Sequence, residues 1–241
     1  MPDAYAPVVI MIELFSGTGV MSAAFRALGW DTLTVDWDPR LPADVHADIG
    51  ALDAATLTRL AGGRPDVVWA SPDCTTFSIA AIGHHRRPDP RTGLLLPVSD
   101  YATACDRIDA HVMRLIGELA PCYWFVENPV GGMRKAPFTQ GLPRFTLTYC
   151  GYGDARRKPT DIWTNHPHPM FQLPCRNGDP CHESAPRGSK TGTQGLKGHV
   201  ERSRMPAGLC EHVARICTPL PAQRPPLLLD RWVPEVQDCL F

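Results

Sequence analysis

The chain has 241 residues, with 24 basic and 25 acidic side chains and a net charge of −1 when its nine histidines are neutral. Apolar residues at 44% and charged residues at 20% exclude a disordered or tail-like protein, and the length suffices for one sizeable core with a small appendage. With 20 glycines and 25 prolines the chain is rich in turns, and its balanced charge means that any contact with nucleic acid must come from a local basic patch.

In chain order, Val8 to Ile12 is a continuous apolar run, as in a strand buried on both faces. Glu13 cuts the run far short of a bilayer span, and no basic leader precedes it. A cytoplasmic protein whose nine cysteines are reduced is therefore expected, with no membrane association. Phe15-Ser16-Gly17-Thr18-Gly19 forms a turn, and Met21, Ala24, Phe25 and Leu28 follow at helical spacing up to Gly29. Strands are expected at Thr32 to Val35, Asp44 to Ile49, Val67 to Ala70 and Trp124 to Val126, and helices at Ala51 to Leu60 and 103–119. This alternation predicts an α/β fold, a doubly wound and mostly parallel sheet covered on both faces. Beyond residue 140 the pattern changes: Phe145 to Cys150 and Thr160 to Thr164 suit a hairpin at one end of the sheet. Residues 165–200 are poor in apolar side chains, Met205 to Cys217 regains helical spacing, and the Pro-rich end from Thr218 is expected to wrap the surface.

The glycine turn between a strand and a helix suits a nucleotide-type ligand, because glycines allow close backbone approach and helix N-termini offer free N–H donors. It lacks the third glycine of a pyrophosphate fingerprint. Asp36, at the end of the second strand, is placed to accept ribose hydroxyls. Trp37 either lies against an adenine face or packs in the core, and Asp48 either accepts from the adenine amino group or caps a helix. Together these residues favour a nucleoside-bearing cofactor. At the end of the next strands stand Cys74, within Ser71 to Ser78, and Glu127, within Glu127-Asn128-Pro129. A cysteine and a carboxyl group at adjacent strand ends, facing a nucleoside, point to thiolate chemistry with acid assistance.

Taken in order, these motifs resemble those of the cytosine-5 DNA methyltransferases. Glu13 to Gly19 is similar to the first motif of that family, Asp36-Trp37-Asp38 to the second and Ala47-Asp48-Ile49 to the third. Pro72 to Ser78 resembles the nucleophile motif, keeping Cys74, Phe77 and Ser78, and Phe125 to Pro129 resembles the Glu-Asn motif. Tyr152-Gly153 with Arg156-Arg157-Lys158 is similar to the basic motif, and Arg202 to Pro206 is a faint version of the last. The resemblance implies S-adenosylmethionine as cofactor, held by Phe15, Ser16, Gly17, Thr18, Gly19, Asp36, Trp37, Asp48, Ile49, Pro72 and Ser203. It implies double-stranded DNA as partner and a flipped cytosine attacked at C6 by Cys74, with Glu127 and either Arg157 or Lys158 assisting.

Departures from the family pattern are also evident. Asp73 replaces the usual Pro before the nucleophile; close to the thiol it would disfavour the thiolate, whereas pointing away it would cap a loop N–H. Thr160 stands where the last arginine of the basic motif is usual, and Arg202 where an asparagine is. The run His84, His85, Arg86, Arg87 and Arg91 falls where the family has a mobile loop over DNA, so these residues are expected to face DNA, as are Lys190 and Lys197. The expected division is a catalytic domain at 1–165, a minimal recognition region at 166–201 and a returning helix with a tail at 202–241, in a monomer. Cys175 and Cys181-His182 with a remote Cys or His would make a zinc set, but the spacing is not a familiar zinc pattern and no metal is expected. The rival functions are an RNA cytosine-5 methyltransferase and a DNA-binding protein with a degenerate site.

Overall fold

A computed structural model describes residues 8–183 and 198–229 of the protein. Seven strands form one sheet: β1 (Ile10–Leu14), β2 (Asp31–Asp36), β3 (Val45–His46), β4 (Val67–Ala70), β7 (Tyr123–Pro129), β8 (Arg144–Thr148) and β9 (Pro159–Thr164). Their order across the sheet is β3-β2-β1-β4-β7-β9-β8. The pairs from β3 to β7 are parallel, whereas β9 runs antiparallel to both β7 and β8. This is the expected mostly parallel, doubly wound α/β sheet. A separate two-stranded ribbon, β5 (Arg86–Pro88) with β6 (Leu95–Pro97), follows the short helix α3 (Ile82–His85).

The continuous apolar runs of the central strands are explained by a core on each face. Ile12, Val68, Trp124 and Val126 point to one side, where α2 (Ala54–Leu60) and α4 (Asp100–Leu119) bring Leu57, Val112, Leu115 and Ile116. Met11, Val67, Trp69 and Phe125 point to the other, against Met21 and Phe25 of α1 (Val20–Arg26) and Leu209 and Val213 of α6 (Ala207–Ile216). Trp69, Trp124 and Trp163 are almost fully buried, and each removes on the order of 200 Å² from water, worth about 5 kcal/mol before the cost of ordering. Trp163 thereby anchors the antiparallel edge hairpin to the sheet.

The N-terminus of α4 is capped by Ser99, which accepts from the Ala102 N–H, and Asp53 caps α2 by accepting from Thr56. The return of α6 depends on Gly208: a Cβ there would lie 2.7 Å from the Tyr152 carbonyl oxygen, so only glycine allows this approach. The short α5 (His199–Ser203) precedes it. From 166 to 183 the chain makes no helix or strand beyond one bridge between Arg156 and Glu183. After α6 the chain runs past the amino ends of β4 and β7, where Trp124 donates to the Leu227 carbonyl oxygen, Asn165 to that of Pro226, and Arg224 pairs with Asp66. Among the described residues no helix is long and apolar enough to cross a membrane.

Candidate active site

The first half of the site is the turn from β1 into α1. Phe15, Gly17 and Gly19 all take positive φ, which reverses the chain tightly at the carboxyl end of the sheet. The Gly17 N–H donates to one oxygen of Asp36 at 2.8 Å, and the Asp38 N–H donates to the other at 3.0 Å. These bonds orient the Asp36 carboxylate while leaving each oxygen a further lone pair. Trp37 is 69% exposed, so of its two expected placements the core one is excluded and its ring is open to a ligand. Asp48 caps a 3₁₀ turn at Ile49–Ala51 by accepting from the Gly50 N–H at 2.9 Å. The Ser16 hydroxyl oxygen is buried, with no partner among the described residues. An orphaned hydroxyl, an oriented carboxylate and an open aromatic face, grouped at one turn, fit a nucleoside-bearing cofactor.

Glu13, within the same segment, accepts from the Ser22 N–H and is pushed up to about 7 by burial. A cavity of about 590 Å³ lies beside the start of α1, lined by Val20, Tyr152 to Arg156 and Arg204 to Gly208. Neither Cys74 nor Trp37 lines it. Ser203, next to that cavity, turns its hydroxyl back to the Val200 carbonyl oxygen.

The second half is built on the register Ala70↔Val126 between β4 and β7, which brings the segment after β4 level with Glu127. Pro72 and Cys74 lie in that segment, and Asn128 donates to the Pro72 carbonyl oxygen at 3.1 Å, tying it to β7. Cys74 is half-buried at the start of a 3₁₀ turn at Thr75–Phe77. Gly131 allows the next loop to cross this turn, since a Cβ there would lie 2.5 Å from the Phe77 carbonyl oxygen. Glu127 is buried and accepts from the Tyr149 hydroxyl at 3.1 Å. Lys158 in turn reaches the Tyr149 hydroxyl at 3.4 Å and sits 4.5 Å from the centre of its ring. The edge hairpin makes this possible, because Tyr149 directly follows β8, Lys158 directly precedes β9, and the Tyr149 N–H bonds the Lys158 carbonyl oxygen.

Burial pushes the Cys74 thiol above its usual range; Lys158 opposes that shift, and the Glu127 and Asp73 carboxylates reinforce it. Burial likewise raises Glu127, against Lys158 and its hydrogen bond from Tyr149. The Asp73 carboxylate accepts from the N–H and hydroxyl of Thr75 and from the hydroxyl of Tyr101. It thus forms the expected loop cap, and its charge still disfavours the Cys74 thiolate.

A curated relative, a probable DNA (cytosine-5)-methyltransferase of Frog virus 3 (isolate Goorha), is 32% identical over 160 residues, covering 64% of this chain and 70% of the relative. The chain belongs to the DNA (cytosine-5)-methyltransferase family. No protein-family model matches the chain. Among solved structures, a putative DNA modification methyltransferase encoded within an E. coli prophage is 18% identical with a TM-score of 0.47, over 65% of this chain and 46% of the other. The Entamoeba histolytica methyltransferase EhMeth is 12% identical with a TM-score of 0.46, over 75% and 58%, and a mutant DNMT2 of Spodoptera frugiperda is 17% identical with a TM-score of 0.41, over 73% and 57%. The chain thus spans about half the length of these solved structures.

Several family-based expectations are not met by the placement of the residues. Arg86, expected to face DNA, is fully buried: it pairs with Asp106 at 2.6 Å, donates to the carbonyl and hydroxyl oxygens of Thr76, and lies 3.6 Å from the centre of the Phe77 ring. It is a positioning residue for the turn that carries Cys74. His85 is half-buried and bonds Ser99, whereas His84, Arg87 and Arg91 are exposed. Lys190 and Lys197 lie outside the described residues. Arg157 does not join the Cys74 rim; it turns away and donates to the Cys175 carbonyl oxygen at 3.2 Å. Arg156 is held by Asp154 and by the carbonyl oxygens of Glu201, Arg202 and Arg204, so it braces the segment before α6. Sequence reasoning missed Tyr149, read only as part of a strand, because nothing local marks it as the partner of Glu127.

Two measurements check this arrangement. Replacing Arg86 with Ala strands Asp106 in the core and should cost about 3–5 kcal/mol of stability in urea unfolding; a loss below about 1 kcal/mol would contradict the burial of this pair. Alkylation of Cys74 by iodoacetamide, followed by peptide mass, should rise about tenfold per pH unit through the alkaline range and past the usual thiol pKa. A rate already flat above pH 7 would show a thiolate stabilised at rest, against the raised thiol.

Proposed function

We propose that the protein methylates C5 of cytosine in double-stranded DNA, using S-adenosylmethionine and a base turned out of the duplex. The observation that carries the reading is the meeting of Cys74 and Glu127 at one strand rim, with Lys158 as the cation acting on both. The residues proposed to hold the cofactor are Phe15 to Gly19, Asp36, Trp37, Asp48, Ile49 and Pro72, with Ser203 alongside. When bound, that cofactor supplies an electrophilic methyl group on a sulfonium, which leaves as a neutral thioether.

Cys74 acts as thiolate and forms a bond to C6, which moves electron density onto C5. Lys158 favours the thiolate by its charge, offsetting part of the cost of burial. Glu127, whose proton affinity burial raises, hydrogen-bonds N3 and the amino group of the base and stabilises the adduct. C5 then takes up the methyl group, its proton leaves to solvent, and Cys74 departs as thiolate to restore the ring. Tyr149 fixes the Glu127 carboxyl group for this task.

The exposed His84, Arg87 and Arg91 beside the β5–β6 ribbon are proposed to meet phosphates, together with Lys190 and Lys197. Residues 1–165 would form the catalytic domain, 166–201 a minimal recognition region and 202–241 the returning helix and tail.

Transfer of labelled methyl groups to duplex DNA, single-stranded DNA and tRNA, followed by nucleoside analysis, tests the substrate. The expected product is 5-methylcytosine in duplex DNA, lowered on the order of a thousandfold or more by Cys74→Ser. Label confined to tRNA, or at another atom of the base, would overturn the reading.

A further inference from the structure

Outside the reaction rim, the fold gathers a second cluster of reactive side chains. Cys150, in the 3₁₀ turn Tyr149–Tyr152 after β8, meets Cys175, Cys181 and His182, and the ligand atoms of all four lie within 4.8 Å of one another. The Cys150 and Cys175 sulfurs are 3.2 Å apart, those of Cys150 and Cys181 3.7 Å, and His182 Nδ1 lies 3.6 Å from Cys175 and 3.4 Å from Cys181. A tetrahedral zinc ion, with Zn–S of about 2.3 Å and Zn–N of about 2.0–2.1 Å, has ligand–ligand edges of about 3.5–3.8 Å. The cluster therefore already has nearly the dimensions of a zinc coordination shell.

We propose that Cys150, Cys175, Cys181 and His182 bind one structural zinc ion that fastens the 166–183 segment to the catalytic sheet. Four protein ligands close the shell, which leaves no position for water or substrate and marks a structural rather than a catalytic site. Binding releases the three thiol protons, and the zinc with three thiolates and a neutral imidazole carries a net charge of −1. Arg157 complements that charge: it lies against Cys175, and its Nε–H is buried with no acceptor among the described residues.

The need for such a tie follows from the segment itself. From 166 to 183 the chain has no helix or strand beyond one bridge; beyond the buried His166, Phe171 packs against the core, whereas Met170 and Leu173 are exposed at 74% and 89%. Its attachments include the Cys175 N–H to the Thr148 hydroxyl, the Glu183 N–H to the Ala155 carbonyl oxygen, the bond from Arg157, the Gln172 N–H to the Tyr152 hydroxyl and the Phe171 ring against Phe145 and His212. A disulfide is the competing use of two of the thiols, but it pairs only two of three cysteines and requires sulfurs about 2.05 Å apart.

Elemental analysis of the full chain, purified under reducing conditions without chelator, should find about one zinc per chain. Chelator-stripped protein titrated with cobalt(II) should develop the ligand-field bands of a tetrahedral site together with thiolate-to-metal charge transfer. Cys181→Ser and His182→Ala should each lower zinc content severalfold, whereas Cys105→Ser, in α4, should retain it. Should those variants fail to fold, the zinc content and cobalt spectrum of the unaltered chain still decide. Clearly substoichiometric zinc with no cobalt spectrum, or a Cys150–Cys175 disulfide in metal-free protein, would overturn the site.

Discussion

Glu127 is a carboxyl group buried at the carboxyl end of a central strand, and much of the surrounding architecture serves to make that burial tolerable. An isolated ionised carboxylate in such a place costs several kcal/mol, so it must be hydrogen-bonded, opposed by a cation, or neutral. The Tyr149 hydroxyl donates to it, Lys158 approaches through that hydroxyl, and burial raises its proton affinity toward the neutral form. The same cation acts on the Cys74 thiol, so one lysine links the two groups of the rim.

That arrangement explains why the sheet ends in an antiparallel hairpin. Tyr149 and Lys158 sit at the loop end of β8–β9, paired through the backbone, and reach Glu127 because β9 runs against β7. Anchoring by Trp163 and Leu147 in the core keeps the hairpin at that edge. On the other side, the turn bearing Cys74 is held from beneath by Arg86 and from β7 by Asn128. The basic residues thus divide by environment: Arg86, Arg156 and Arg157 brace the scaffold, whereas Arg87 and Arg91 remain at the surface.

Most of the parallel half was legible from the sequence, because strands buried on both faces read as continuous apolar runs. Val67 to Ala70 has the expected bounds, and Phe145 to Cys150 with Thr160 to Thr164 does form the edge hairpin. β7 extends past Val126 because Glu127, Asn128 and Pro129 still pair with β9, and polar residues inside a strand give no apolar signal. Arg86 looked like part of a solvated basic run; its partner Asp106 is 20 residues away, on a helix whose packing no local pattern announces. For the same reason Cys150 could not be assigned to Cys175, 25 residues on, before the fold brought them together. What remained hidden was long-range pairing of polar groups, which depends on tertiary packing and carries no period.

The most direct test is a duplex oligonucleotide carrying 5-fluorocytosine, incubated with the protein and S-adenosylmethionine. Fluorine at C5 cannot leave as a proton does, so a thiolate adduct at C6 becomes trapped after methyl transfer. The expected result is a denaturant-resistant complex whose mass equals protein plus oligonucleotide plus one methyl group, linked through the Cys74 peptide. Absence of any such complex with methylation-competent protein, or its persistence in Cys74→Ser, would contradict Cys74 as the nucleophile.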